Sequence, residues 1–223
     1  MNPRPASPPR PRDPPRPRQK AELARRGEAR AEKFLEAALE VFLEKGYRQA
    51  RVSDIVARAG GSYATLYRAY GDKEGLAHAI MERGIDAFDG AQARLLASDD
   101  LPEVALADAA VRMIEVILSP VQIVIHRIVI GEGLAFPALR DWYFEHGIRP
   151  AELTLVEYFR RQQEAGRLVT KDPSIAANRF YMATFARAIL DSVAGYMTPA
   201  DLPRVREDVR EAVAIFLRGV LPR

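Results

Sequence analysis

The 223-residue chain contains no cysteine. This excludes disulfides, thiol catalysis and thiolate metal sites, and it fits a cytoplasmic protein. Histidine is scarce: His78, His126 and His146 stand far apart and make no HExxH pair, so no metal is expected. No apolar run approaches the roughly 18 residues needed to cross a bilayer. The Arg- and Pro-rich N-terminus has no apolar segment after it, so no secretory signal is expected either. Strand signals are missing, because no alternating apolar run is bounded by hairpin turns. Catalytic motifs are missing as well. Gly60-Gly61-Ser62-Tyr63-Ala64 lacks the spacing and the strand–turn–helix context of a nucleophile elbow. There is no phosphate-binding loop, and IVIHRIVIGEG lacks the third glycine and following βαβ pattern of a dinucleotide fingerprint. No catalytic residue, cofactor or enzymatic activity is expected.

What remains is a chain that is 48% hydrophobic, ample for a packed core and predicted to be all-α. Net charge is only +3, but residues 1–20 hold six basic side chains against Asp13. A cationic end of this kind suits nucleic acid. Residues 1–19 alternate proline with arginine, which resists helix and offers nothing to collapse, so they read as a disordered basic arm. Such an arm either follows DNA phosphates or is an inert solvated tail.

The rest is organised around RVSDIVARAGGSYATLYRAYGDK, residues 51–73. Val52, Ile55, Val56 and Ala59 have helical spacing. Gly60-Gly61 then breaks the helix, and Ser62 is placed to cap a second one by accepting an N–H near Ala64 or Thr65. That short helix turns Leu66 inward, closes on Tyr70, and leaves Tyr63, Thr65, Tyr67 and Arg68 outside. Two short helices around a glycine turn, with exposed aromatic and cationic side chains, form the layout of a helix-turn-helix.

Residues 33 to 81 resemble the DNA-binding domain of the TetR family of transcriptional repressors. KFLEAALEVFLEKGY is similar to that family's first helix, VSDIVARAG to its second, and SYATLYRAYGDKEGL to its recognition helix and the start of the fourth. The resemblance implies a helix-turn-helix domain over residues 20–75 and a helical regulatory domain over 76–223. It also implies that Tyr67 and Lys73 hold phosphates. Ser62, Tyr63, Ala64, Thr65 and Arg68 then face bases or adjacent backbone, with Arg68 the candidate for a bidentate guanine contact. Arg51 stands where the family often has a capping threonine; it cannot cap in that way but can pair with a phosphate. Gly61 replaces a usual valine, a loss expected to loosen the turn by about 1–2 kcal/mol. Ala64 and Ala69 replace a frequent glycine and histidine, which implies a more distant approach and one missing contact.

Downstream, HRIVIGEGLAFPALRDWYFEHG resembles the C-terminal domain of the AefR-like branch. The family's pattern implies a homodimer on an inverted-repeat operator in double-stranded DNA, released by a small hydrophobic ligand, anionic or aromatic. Dimerisation is expected on the last two long helices through Ala183, Arg187, Asp191, Val213 and Phe216. The candidate pocket residues are Arg112, His126, Arg127, Trp142, Tyr181 and Phe185. A cationic pair there would suit a carboxylate or phenolate; in the plainer reading, the aromatics are core and the cations pair with Glu115 and Glu132. Gly84 and Gly90, inside the fourth helix, are either bends or simply tolerated. The rival class is a helical small-molecule-binding protein or enzyme without a DNA partner, and the recognition helix argues against it.

Overall fold

The computed structural model describes residues 17–222, with side chains from Gly27 onward apart from Pro199. Among the described residues there are ten α-helices and no strand. Helix α1 (Pro17–Gln49) carries Phe34, Leu35, Ala38, Val41 and Phe42 on its buried face. It begins inside the segment read as an arm, the remainder of which lies outside the described residues. Gly46, at φ 75°, breaks its last turn, a conformation that costs glycine little. Helices α2 (Val52–Ala59) and α3 (Tyr63–Tyr70) cross beneath it, and α4 (Lys73–Leu96) leads away. Their first core joins Phe34, Phe42, Tyr47, Ile55, Leu66, Leu76 and Ile80.

This core does not stop at residue 75. Val124, Ile125, Ile128 and Tyr143 belong to it, so later helices pack directly onto the helix-turn-helix. They come from α6 (Pro120–His126) and α7 (Pro137–Tyr143), each of which runs on into a π-helical turn, Arg127–Gly131 and Phe144–Ile148. Ser119 caps α6 through the N–H of Gln122, with Pro120 in its first turn, where no amide partner is needed.

The second core gathers α5 (Pro102–Ile117), α8 (Arg149–Glu164), α9 (Pro173–Ala194) and α10 (Leu202–Arg218) around the far half of α4. The rings of Phe159, Phe180 and Phe216 meet edge to face with centroids 5.5–5.8 Å apart. No single helix among the described residues is long and apolar enough to cross a membrane.

The two interior glycines of α4 differ. A Cβ at Gly84 would lie 2.4 Å from Ile125 Cδ1, so glycine is what lets α6 cross α4 this closely. A Cβ at Gly90 would meet nothing within 4 Å. Neither glycine interrupts the helix.

Candidate nucleic-acid interface and the cavity behind it

Helix α3 is held from three sides. The Ser62 hydroxyl accepts the Thr65 N–H at 3.3 Å and shares a 3.0 Å hydrogen bond with the Thr65 hydroxyl. Leu66 is fully buried, and the Tyr70 hydroxyl donates to Ala31 O at 2.9 Å. Helix α2 is tied to α1 by a two-pronged Arg58–Glu44 pair, both contacts 2.7 Å. Asp54 accepts the Arg51 N–H at 3.3 Å and meets Lys45 Nζ at 2.9 Å. The lysine contact holds the Asp54 carboxyl below the usual carboxylate range. Asp54 thus caps the first turn of α2 and complements its dipole.

The outer face of this pair is free. Tyr63 and Tyr67 are 47% and 51% exposed and stack with centroids 6.5 Å apart. Arg51, Ala64 and Arg68 are exposed beside them, and neither arginine makes an ion pair among the described residues. The structure thus brings Arg51, Ser62, Tyr63, Ala64, Thr65, Tyr67 and Arg68 to one end of the molecule, with Thr65 turned partly inward.

Lys73 is placed differently. Its ammonium donates to Tyr47 O at 3.0 Å and Ala50 O at 3.1 Å, approaches Arg48 O at 3.5 Å, and lies 4.5 Å from the Tyr47 ring centroid. An ammonium has three protons, and these carbonyls occupy them. Burial lowers its pKa, against the opposing charge of Glu132. The direct phosphate contact implied for Lys73 is not one this geometry offers; the side chain ties α4 to the end of α1. The expectation for Gly61 is also corrected. A Cβ there would lie 2.3 Å from Phe34 Cζ, so the ring of Phe34 fills the space and the turn is not loosened.

A cavity of about 190 Å³ opens between α4, α6, α8 and α9. Tyr143 donates to Gln122 Oε1 at 3.2 Å, and Gln122 Nε2 donates to Gly84 O at 3.0 Å. Gln92 Nε2 donates to Ala151 O at 3.0 Å, while its Oε1 and the His126 Nδ1 have no partner. His126 is only 6% exposed, and burial drives its pKa down to about 4, so the ring is neutral at pH 7. Burial also pushes Tyr143 up to about 12 and raises Tyr181. Asp89, Glu152, Asn178 and Met182 form the exposed rim.

Of the six expected pocket residues, His126 and Tyr181 line this cavity. Arg127 turns the other way and donates to Leu43 O at 3.2 Å. Trp142 stacks on His146, with ring centroids 4.5 Å apart, and meets His78 edge-on. Phe185 is fully buried behind Tyr181, and Arg112 lies outside the lining. The acidic partners expected for the two cations are also engaged elsewhere. Glu115 pairs with Arg206 at 2.6 Å, and Glu132 accepts the Arg48 N–H at 3.1 Å.

Among the dimer candidates, Val213 is 1% exposed within the second core and cannot meet a partner. Phe216 packs partly against the same core. Ala183 and Arg187 are exposed, and Arg187 pairs with Asp191 along the helix at 2.7 Å.

Residues 34–80 match the model of the tetR family of bacterial regulatory proteins, and residues 104–219 match the C-terminal domain of AefR-like transcriptional repressors. The chain belongs to the TetR family of transcriptional regulators. Over 75 residues it is 36% identical to the HTH-type transcriptional repressor ComR of Escherichia coli, covering 33% of this chain and 36% of ComR. Over 70 residues it is 40% identical to the HTH-type regulator YvdT of Bacillus subtilis, covering 31% and 36%. The match thus spans about a third of these curated relatives. A TetR-family regulator from Mesorhizobium loti shares the fold, with TM-score 0.75 at 20% identity over 88% of this chain and 99% of that one.

In this TetR-family chain the cavity residues that sequence reasoning missed include Asp89, Gln92, Gln122 and Glu152. Two had a readable signal. Gln92 lies one turn from both Phe88 and Leu95, and Gln122 one turn from Ile125, so each is an amide set against buried apolar neighbours on its face.

Proposed function

We propose that this TetR-family protein is a ligand-responsive repressor that binds an inverted-repeat operator as a homodimer. The observation that carries the reading is α3, locked on its inner side by Leu66 and Ser62 and presenting Tyr63, Tyr67 and an unpaired Arg68 outward. Arg68 is suited to guanine, Tyr63 and Ala64 to base edges or sugar, and Tyr67 and Arg51 to phosphates. Two such helices would enter successive major grooves about 34–36 Å apart.

The exposed apolar side chains of the last two long helices support self-association. Ile175, Met182 and Leu190 on α9 and Ile215 on α10 face solvent, with Ala183 between them allowing close approach. Such a partner would meet a different face of α10 from the one that carries Val213.

A small ligand in the cavity would act through the π turn that follows His126. His126 lines the cavity, the next residue Arg127 holds Leu43 O, and Glu132 at the end of that turn holds the Arg48 N–H. Phe136 then meets Tyr47 edge to face, centroids 4.8 Å apart. The cavity wall and the end of α1 are thus six residues apart along one short segment. A ligand lowers DNA affinity only insofar as it binds better to the arrangement that fits DNA less well.

The test is selection of bound sequences from random DNA. An enriched inverted repeat is expected, and a pool without enrichment would sink the reading.

A further inference from the structure

We infer that the cavity takes a small apolar molecule, about one aromatic ring in size, with a cationic hydrogen-bond-donating head: an arylalkylamine rather than a carboxylate or phenolate. This deepens the ligand-responsive reading above and rests on it.

The sign of charge comes first. Among the described residues no lysine or arginine lines the cavity, whereas Asp89 and Glu152 flank its rim from α4 and α8. Both carboxylates are exposed, and burial, then the neighbouring Asp86, raises the pKa of Asp89. An anionic ligand would leave water to meet two like charges with no cation in the lining to pair with. A cation seated at the rim keeps part of its hydration and gains both carboxylates.

Hydrogen-bonding capacity points the same way. Gln92 Oε1 is a buried acceptor with no partner. Tyr143 spends its proton on Gln122, and Gln122 gives one of its two amide protons to Gly84 O, so the Tyr143 hydroxyl has no donor left for a ligand. His126 is neutral, so it offers one donor and one acceptor, and its Nδ1 is unpartnered. A ligand donor is what the unpartnered Gln92 Oε1 lacks. Size is bounded by the cavity's 190 Å³, a little above the roughly 150 Å³ apolar cavity known to hold benzene. Phe88, Ile117, Leu155 and Ala177 provide the apolar walls.

The experiment is calorimetric titration of the full-length protein, without DNA, with three probes of one apolar body: phenethylamine, phenethyl alcohol and hydrocinnamate. The amine should bind about tenfold or more tightly than the acid, with the alcohol between them. The double variant Asp89→Asn/Glu152→Gln alters only exposed side chains. It should keep the wild-type melting curve and bring amine and acid within about twofold. Equal or tighter binding of hydrocinnamate, no binding of the amine up to its solubility limit, or an amine preference that persists in the double variant would overturn the proposal. A separate titration with operator DNA keeps the two readings apart. An amine that binds but does not release DNA counts against ligand-responsive repression and leaves the chemistry of the cavity standing.

Discussion

The two ends of α4 use their polar groups in opposite ways. Near Lys73, the unpaired groups are outside: Arg51, Arg68, Tyr63 and Tyr67 face solvent over a core closed by Leu66 and Ile55. Near Gln92, the unpaired groups are inside: Gln92 Oε1 and His126 Nδ1 lie among apolar walls. An exposed cation costs the fold almost nothing while it waits for a phosphate. A buried polar atom without a partner costs about 1–3 kcal/mol. The DNA end is therefore stable as it stands, and the cavity end is stabilised whenever something completes its hydrogen bonds. Anything that binds there in the folded state stabilises it by mass action.

The largest expected effect tests the inner end. His126 has a folded-state pKa of about 4, below the unfolded value of about 6.5. Between those values the unfolded chain binds the extra proton, so stability should fall as pH drops from about 6.5 towards 4, by up to about 3 kcal/mol. Urea titrations across this range should show the decline, and His126→Gln should flatten it. A wild-type curve that is level from pH 6.5 to 4 would mean the imidazole is not buried as described. Next comes Arg68→Ala at the outer end. It should cost about 1–3 kcal/mol of operator affinity, relax preference at one base pair and leave the melting temperature unchanged. A fall in melting temperature would place Arg68 in the fold and break the contrast.

Gly61→Val tests whether Phe34 fills the turn. Overpacking against the ring should destabilise the protein by about 1–3 kcal/mol, and Phe34→Leu in the same chain should recover part of it. A stabilised Gly61→Val variant would restore the view of a loose turn. Lys73→Ala should have the smallest effect, about 1 kcal/mol, and it should appear in thermal unfolding as well as in DNA affinity. An affinity loss with unchanged unfolding would return Lys73 to the phosphates.

How legible each end was follows from chain order. The outer end comes from one unbroken stretch, residues 51–73, so spacing, cap and turn could be read together, and the helices fell where periodicity put them. Lys73 and Gly61 escaped because their partners, Tyr47 O and the Phe34 ring, lie on α1, and no local pattern names a carbonyl or a ring as a neighbour. The cavity draws on α4, α6, α8 and α9, more than ninety residues from first to last, so aromatic content alone pointed to the wrong side of α7. Charged residues misled for a related reason. Arg127 follows His126 directly, yet a π turn begins there, and the two side chains leave in different directions.

The close crossing at Gly84 has a mechanical consequence. Ile125 rests on the bare backbone there and Gln122 grips its carbonyl, so α6 pins α4 between its two ends. A pinned rod is a lever. From Gly84 to Gln92 is about 12 Å along the axis, and from Gly84 to Lys73 about 16 Å, at 1.5 Å per residue. If α4 pivots at this fulcrum, a displacement of about 1 Å at Gln92 becomes about 1.4 Å at Lys73, in the opposite direction. Gly84→Ala, which lifts α6 off the pin, should then weaken the dependence of DNA affinity on ligand more than it weakens binding of either alone. Undiminished coupling in that variant would mean the rod turns about some other point.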